Sequence, residues 1–420
     1  MDKYKQYESL VRDYVKGHIN QMLKEPRSFI RYPFIDPGSV YDGNVWDWDT
    51  YWSVYAVFSL LDEFAPELQE KILLNSKGNV RNFFDHQLED GYIPMMIEVA
   101  DWPEPYLNMK HKEGVRMNMH KPFLCQQICL ISERIGDYAW AAEYLPQLEK
   151  YFERYEADYF YLDKGLYVWC DDIMIGMDND PATFGRPKDS TANIYLNAFM
   201  VMELEAYEKI LHKLSDGAEV KHTDRKRQNL IEAIQRECWD SRDGFYYSVD
   251  VDIKTRSFDW FHQGLGVFWN TLPIRIRTWS GFLPMLAGFA TAEQAQQLRA
   301  CYQDERVFKS PYGVTTLGKN EPMFNLEATN NPSNWLGAIW LVANYAVFKG
   351  MLNYGFIQEA KEICEHSLTL LGEDLLKHGC MHEYYDPYTG EPVMNGGFMN
   401  WNVLVLNMVN ELERSGVLVG

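Results

Sequence analysis

The sequence predicts one all-α domain spanning residues 1–420, built from helical hairpins stacked around a common axis. Three observations carry this expectation. Apolar residues recur at helical spacing, as at Ile357, Ala360, Cys364, Leu368 and Leu371, with steps of three, four, four and three. Short and long connections alternate: Ile135-Gly136-Asp137 and Tyr354-Gly355 are tight. By contrast 26–49, 89–120, 158–189, 305–334 and 376–397 are long and rich in Gly, Pro, Asn and aromatic residues. No strand-dominated region or low-complexity linker divides the chain, so the long loops are expected to gather on one face.

In chain order, helices are expected over residues 4–24 and, past the turn formers Asp36-Pro37-Gly38, over 50–64 and 66–88. The 121–136 and 138–156 pair is separated by Gly136-Asp137. Helices over 190–213 and 222–239 follow, and the run from Asp240 to Tyr247, with Gly244 at its centre, reads as a turn and short β-hairpin. Segments 279–290, 292–303, 335–354, 356–374 and 398–414 complete the series. Ser333 and Asn334, ahead of the 335–354 segment, are N-cap residue types.

Bulk composition narrows the function classes. Hydrophobic residues make up 46% and aromatic residues 15%, enough for a large core. The 40 Lys and Arg against 60 Asp and Glu leave a net charge of −20, the wrong sign for nucleic acid or an anionic membrane surface. Seven cysteines are scattered without a CxxC pair, which fits a reduced compartment. The polar start Met1-Asp2-Lys3-Tyr4-Lys5-Gln6 lacks the apolar stretch of a secretory signal, and no apolar run approaches the roughly 18 residues of a membrane span. A cytoplasmic protein is expected, without cofactor or metal. The D-x-D-x-D spacing of a calcium loop is absent. The one metal lead, His378-Gly379-Cys380-Met381-His382, contains a glycine that disfavours the helix needed to align its histidines.

Four segments concentrate chemistry. In Tyr41-Asp42-Gly43-Asn44-Val45-Trp46-Asp47-Trp48-Asp49-Thr50-Tyr51-Trp52, flat aromatic rings suited to the C–H faces of a sugar alternate with carboxylates that accept from hydroxyls. It sits on a loop opening into a helix, where binding residues are commonly displayed; an aromatic core segment with acidic caps would read the same way. Ile175-Gly176-Met177-Asp178-Asn179-Asp180-Pro181, followed by Arg186 and Asp189, is a carboxylate-bearing loop or an Asx-turn network. Asn330-Asn331-Pro332-Ser333-Asn334-Trp335-Leu336-Gly337-Ala338-Ile339-Trp340 places two tryptophans five apart at a helix mouth, one able to line a pocket while the other packs behind. His382-Glu383-Tyr384-Tyr385-Asp386-Pro387-Tyr388-Thr389-Gly390 sets a glutamate among aromatics, where partial desolvation raises its pKa towards acid–base work.

Taken in order, Trp48-Asp49-Thr50-Tyr51-Trp52, Gly176-Met177-Asp178-Asn179, Asn334-Trp335-Leu336-Gly337-Ala338-Ile339-Trp340 and Glu383-Tyr384-Tyr385-Asp386-Pro387-Tyr388-Thr389-Gly390 resemble the motif set of glycoside hydrolase family 63, short bacterial type, to which the trehalases are related. Lys121-Pro122-Phe123, Trp239-Asp240 with Gly244-Phe245-Tyr246-Tyr247, and Phe282-Leu283-Pro284-Met285-Leu286-Ala287-Gly288 add to the likeness, which runs from about residue 30 to 412. The resemblance implies an (α/α)6 barrel and an inverting hydrolase of a small α-linked glucoside or mannoside, with relatives that act on mannosylglycerate and glucosylglycerate. It places the general acid on Asp178, the general base on Glu383, and sugar contacts on Trp48, Asp49, Trp335 and Trp340; Tyr41 and Trp46 join them by proximity. Ala182 stands where the family often has an arginine, with Arg186 the nearest replacement, and Leu336-Gly337-Ala338 replaces the usual Arg-Gly-Pro. Both departures bear on substrate identity. Two alternatives stay open: a sugar epimerase using histidines such as His86, His111, His120, His262 or His382, and a carbohydrate-binding protein without turnover.

Overall fold

The computed structural model describes residues 3–214, 218–253, 270–327, 333–417 and 419; His262 and the Asn330-Asn331-Pro332 portion of the tryptophan motif lie outside them. Among the described residues the regular structure is mostly helical. The helices are α1 (Lys3–His18), α2 (Asp47–Val57), α3 (Pro66–Asp85), α4 (Tyr106–Lys112), α5 (Leu124–Ile135), α6 (Leu145–Asp158) and α7 (Ile194–Leu214). They continue as α8 (Ala218–Glu237), α9 (Leu283–Leu286), α10 (Ala292–Gln303), α11 (Leu341–Asn353), α12 (Ile357–His378) and α13 (Leu404–Arg414). Strands are two or three residues long and serve to pin loops together. The expected hairpin is present, pairing Trp239–Asp240 with Phe245–Tyr246. None of the described helices is long and apolar enough to cross a membrane.

Six helices pack in a cycle: α2 on α5, α5 on α7, α7 on α9, α9 on α11, α11 on α13, and α13 back on α2. Two of them, α2 and α11, are buried along almost their whole length, as expected for helices that are apolar all round. Others lie outside this cycle, with α3 against α2 and α5, α8 against α7, and α12 against α11, α13 and α1.

Helix boundaries differ from the sequence expectation where a distant partner supplies the backbone's hydrogen bonds. The 4–24 helix stops at His18, where a 3-10 turn over Ile19–Gln21 leads into the strand Leu23–Lys24. The 279–290 segment is a 3-10 turn followed by the short α9, and Gly288, at φ +77°, lies just beyond it. Asp47 opens α2 early, because its carboxylate accepts from the Trp48 amide at 2.7 Å. At the other extreme, α11 starts only at Leu341. The preceding Trp335–Trp340 stretch is non-helical, bending at Leu336 and Gly337, with Ile339 bridged to both Thr315 and Tyr385. Trp340 therefore takes the N-cap position, with no side-chain cap, and Asn334 serves elsewhere. The N-terminus of α5 is satisfied across the core: the amides of Cys125 and Gln126 donate to Glu203 of α7, at 2.8 and 3.2 Å. Burial pushes the Glu203 carboxyl up to about 7.

An asparagine ladder straps residues 32–35 onto α3. Asn75 donates to the Phe34 carbonyl at 2.8 Å, Asn79 accepts from the Ile35 amide at 2.8 Å, and Asn82 both accepts from and donates to the Tyr32 backbone. Gly78 lies beneath this strap, so close that an added Cβ would fall 1.7 Å from the Pro33 carbonyl oxygen. In an open helix Gly→Ala stabilises by up to about 1 kcal/mol. Here the sign reverses: Gly78→Ala is expected to cost about 1–3 kcal/mol through overpacking, measured as a lower midpoint in urea unfolding with an unchanged slope.

Candidate active site

Several long loops and the starts of α2 and α11 converge on a cavity of about 260 Å³. Of the residues singled out from sequence, Tyr41, Trp46, Trp48, Asp49, Asp178, Trp340 and Glu383 line it. Trp335 does not. It lies behind, stacked on Trp340 with ring centroids 4.0 Å apart and planes 13° from parallel. Trp340 stacks in turn on Tyr384 at 4.8 Å, and Trp48 packs obliquely on Trp401 and Trp335. The cavity wall is thus a continuous aromatic layer.

The loop carrying Asp178 lies flat against this wall because Gly176 permits it. Gly176 sits at φ +96°, and a Cβ there would come within 3.0 Å of the Trp48 indole. Its neighbour Asn179 accepts from the Trp335 amide at 2.6 Å and donates to Asn334 Oδ1 at 3.3 Å, joining two sequence-distant motifs. Asp180, pushed up to about 6 by burial, organises the following turn through Thr183 and Asn193. That is the Asx-turn half of the motif's two readings. Arg186 pairs with Asp250 and Asp189 with Arg116, so the displaced arginine is engaged outside the cavity wall.

Glu383 precedes a bulged hairpin of Tyr384–Tyr385 with Pro392–Met394, itself bridged to Ile339. Only 3% of the residue is exposed. Its Oε1 accepts from the Tyr41 hydroxyl at 2.7 Å and its Oε2 from the Asn395 amide. Burial raises the Glu383 pKa, those two hydrogen bonds oppose the rise, and the Asp178 charge adds to it. Burial likewise raises Asp178, opposed by a hydrogen bond from Ser333 and by the Lys121 charge. Asp49 is buried at the cavity wall and its pKa is raised well above the usual range, first by burial and then by Asp47. Asn400 donates to it at 2.7 Å while accepting from Ser53. Three carboxylates therefore share one poorly solvated space.

Sequence reasoning missed four contributors. Lys121 was visible only as a supporting motif, yet it lines the cavity and its ammonium lies 2.7 Å from Asp47, both side chains being essentially unexposed. The Lys121 amide binds the other oxygen of Asp47 at 2.8 Å. Trp401 and Ser333 complete the wall. Asn395, at φ +51°, was signalled only by the Asn395-Gly396-Gly397 run.

The described histidines point elsewhere. His120 is fully buried, bonded to the Lys121 carbonyl, and pushed down to about 4 by burial. His378 and His382 both bond Asp374, with Gly379 at φ +72° ending α12 between them. His86 bonds the Phe29 carbonyl and His111 pairs with Asp90. Among the described residues no group of three or more His, Cys, Asp or Glu side chains is arranged to hold a metal ion.

Comparison with known proteins places these features in context. The family model described as the mannosylglycerate hydrolase MGH1-like glycoside hydrolase domain matches residues 43–401. Mannosylglycerate hydrolase MGH1 of Selaginella moellendorffii is 29% identical over 163 residues, 39% of this chain and 30% of the plant protein. A probable mannosyl-oligosaccharide glucosidase of Schizosaccharomyces pombe is 24% identical over 287 residues, 66% of this chain and 32% of the yeast protein. The matched stretch thus spans about a third of either relative. The crystal structure of a GH63 mannosylglycerate hydrolase from Thermus thermophilus in complex with glucose superposes with a TM-score of 0.67 at 20% identity, covering 94% of this chain and 99% of that one.

The Lys121–Asp47 pair gives this site a stability signature. Lys121→Met keeps the packing volume but strands the Asp47 charge in the interior. A loss of about 3–5 kcal/mol is expected, read by denaturant unfolding at neutral pH.

Proposed function

The chain belongs to the mannosylglycerate hydrolase MGH1-like glycoside hydrolase family, and from that premise we propose that it is an inverting glycosidase of small α-linked glucosides or mannosides. In this reading residues 1–420 form one catalytic domain, and the cycle of six helices is the inner ring of an (α/α)6 barrel. The protein works in the cytoplasm on a small neutral or weakly charged sugar derivative, without cofactor. The observation that carries the reading is that Asp178 and Glu383 both line one aromatic-walled cavity, each on a separately braced loop. A shared cavity is the geometry that acid and base need, and 205 residues of sequence separate the two.

The roles follow from the environments. Asp178, held towards its neutral form by burial, donates its proton to the glycosidic oxygen as the bond to the anomeric carbon breaks. Glu383 has both oxygens supported by donors, which favour the carboxylate. It takes a proton from water as that water attacks the anomeric carbon from the opposite face. The Asp178 charge adds to the raised pKa of Glu383. Asp49, fixed by Asn400, accepts from sugar hydroxyls, and the Trp48 and Trp340 faces stack on the pyranose. Trp46 and Tyr41 close the mouth side, and Trp335 backs Trp340. A histidine-based epimerase finds no support in the cavity wall, where the described titratable groups are carboxylates, Lys121 and Tyr41.

Leaving-group chemistry separates acid from base. Asp178→Asn is expected to lose roughly 10²–10⁴-fold in kcat on an unactivated α-glycoside, and to recover in part on a nitrophenyl glycoside, whose leaving group needs little protonation. Glu383→Gln should lose as much on both substrates. Near wild-type turnover by either variant on the unactivated glycoside would remove its role.

Stereochemistry tests the mechanism itself. Proton NMR of the first turnovers of an α-glycoside is expected to show the β-anomer before mutarotation. An inverting pair stands roughly 6.5–9.5 Å apart to admit the water. First release of the α-anomer would instead mean a covalent glycosyl-enzyme and a reassignment of both carboxylates.

A further inference from the structure

The residues that hold Glu383 belong to two loops from opposite ends of the chain, and these loops are joined to each other. Ser39 donates to the Gly396 carbonyl at 3.0 Å, and Gly38 is bridged to Phe398. The Tyr41 ring meets Trp46 and Phe398 edge-on, at 6.4 and 5.9 Å. One arm of the clamp thus brings Tyr41 to Oε1 and the other brings Asn395 to Oε2.

The first arm has its own template. Asp36 is fully buried, at the end of the strap that the asparagine ladder ties to α3. Its Oδ1 accepts from the Gly38 amide at 3.0 Å and its Oδ2 from the Gly43 amide at 3.1 Å. One carboxylate therefore closes the whole 36–43 loop, whose bends run through Gly38, Ser39 and Gly43 at φ +83°, +57° and +89°. The charged groups facing it are Lys24, at 3.3 Å, and Asp42, which shares that lysine. Asp36 does not line the cavity.

We propose that Asp36 is a remote positioning residue for catalysis, shaping the 36–43 loop so that Tyr41 holds the general base ionised and correctly aimed. This rests on the reading of Glu383 as the base. The physical chain is short. Each hydrogen bond to a carboxylate favours its charged form, and the Tyr41 bond survives only if the loop that carries it keeps its shape.

The acidic limb of the kcat/KM–pH profile reports the base in the free enzyme. The base works only when deprotonated, so activity is lost as pH falls through its pKa, and weakening a bond to the charged form moves that limb to higher pH. Tyr41→Phe is expected to move it up by roughly one to two pH units. Asp36→Asn keeps one acceptor and loses the other, and should move the limb in the same direction, by no more than Tyr41→Phe does. The double variant should shift no further than Tyr41→Phe alone, because both act through one bond. An unmoved limb in Asp36→Asn, whatever its melting temperature, would overturn the proposal, as would additive shifts in the double variant. Should Asp36→Asn fail to fold, Ser39→Ala, which cuts the tether to Gly396 at a partly exposed position, must still move the limb upward, and no movement overturns the proposal. Glu383→Gln distinguishes the two levels: retained activity there would sink the base assignment itself, whereas loss of activity with an unmoved Asp36→Asn limb would sink this inference alone.

Discussion

The cavity depends on one buried ion pair. Asp47 begins α2, Lys121 stands just ahead of α5, and their contact uses both carboxylate oxygens, the ammonium and a backbone amide. Two helices of the inner cycle thereby start at the same depth, which brings Trp48 and Asp49 to the cavity wall. An ion pair so fully desolvated is a poor source of net stability, since removing two charges from water consumes most of the Coulombic gain. Its value lies in geometry: it admits one register between α2 and α5, and it sets a fixed positive charge beside Asp49 and Asp178.

That positive charge matters because the remaining fixed charges in the cavity are negative. Burial disfavours ionisation of Asp49, Asp178 and Glu383 alike, and the Asp178 charge adds to the rise at Asp49 and Glu383. Their hydrogen-bonding supports differ. Glu383 has a donor on each oxygen, whereas Asp178 has Ser333 and the charge of Lys121. Two carboxyl groups, both raised by burial, are thus held by different sets of donors.

Much of this was legible in the sequence, and what was not has a common cause. Helical periodicity marked the packed helices because burial on a helix face imposes its period on the residues. The Tyr41–Trp52 run and the Glu383 segment stood out because aromatic and acidic residues at such density are unusual on a loop. The start of α11 was misplaced because Thr316 and Tyr385, rather than a local cap, take up the backbone of residues 335–340. Glu203 capping α5 and Asn395 reaching Glu383 were invisible for the same reason: one sequence does not record which distant segment meets which. Trp335 and Trp340 carry equal local signals, and only the stacking order decides which faces the cavity. Asp36 looked like an ordinary turn former, its burial being a property of the α3 strap.

The closure of α13 onto α2 has a consequence for how the enzyme comes into being. The contacts that finish the cavity join residues near 40 to residues near 400, so a nascent chain cannot make them until residues near 400 have been synthesised. Bringing such remote segments together costs on the order of 5 kcal/mol in chain entropy, and topologies of this kind fold slowly. Until then Trp48 and Trp340 lack the Trp401 ring they pack against, and the aromatic wall exposes apolar surface. A chain cut just short of residue 400 would still carry Glu383 and Asn395 but would lack Trp401 and α13, and the cycle of six helices would stay open.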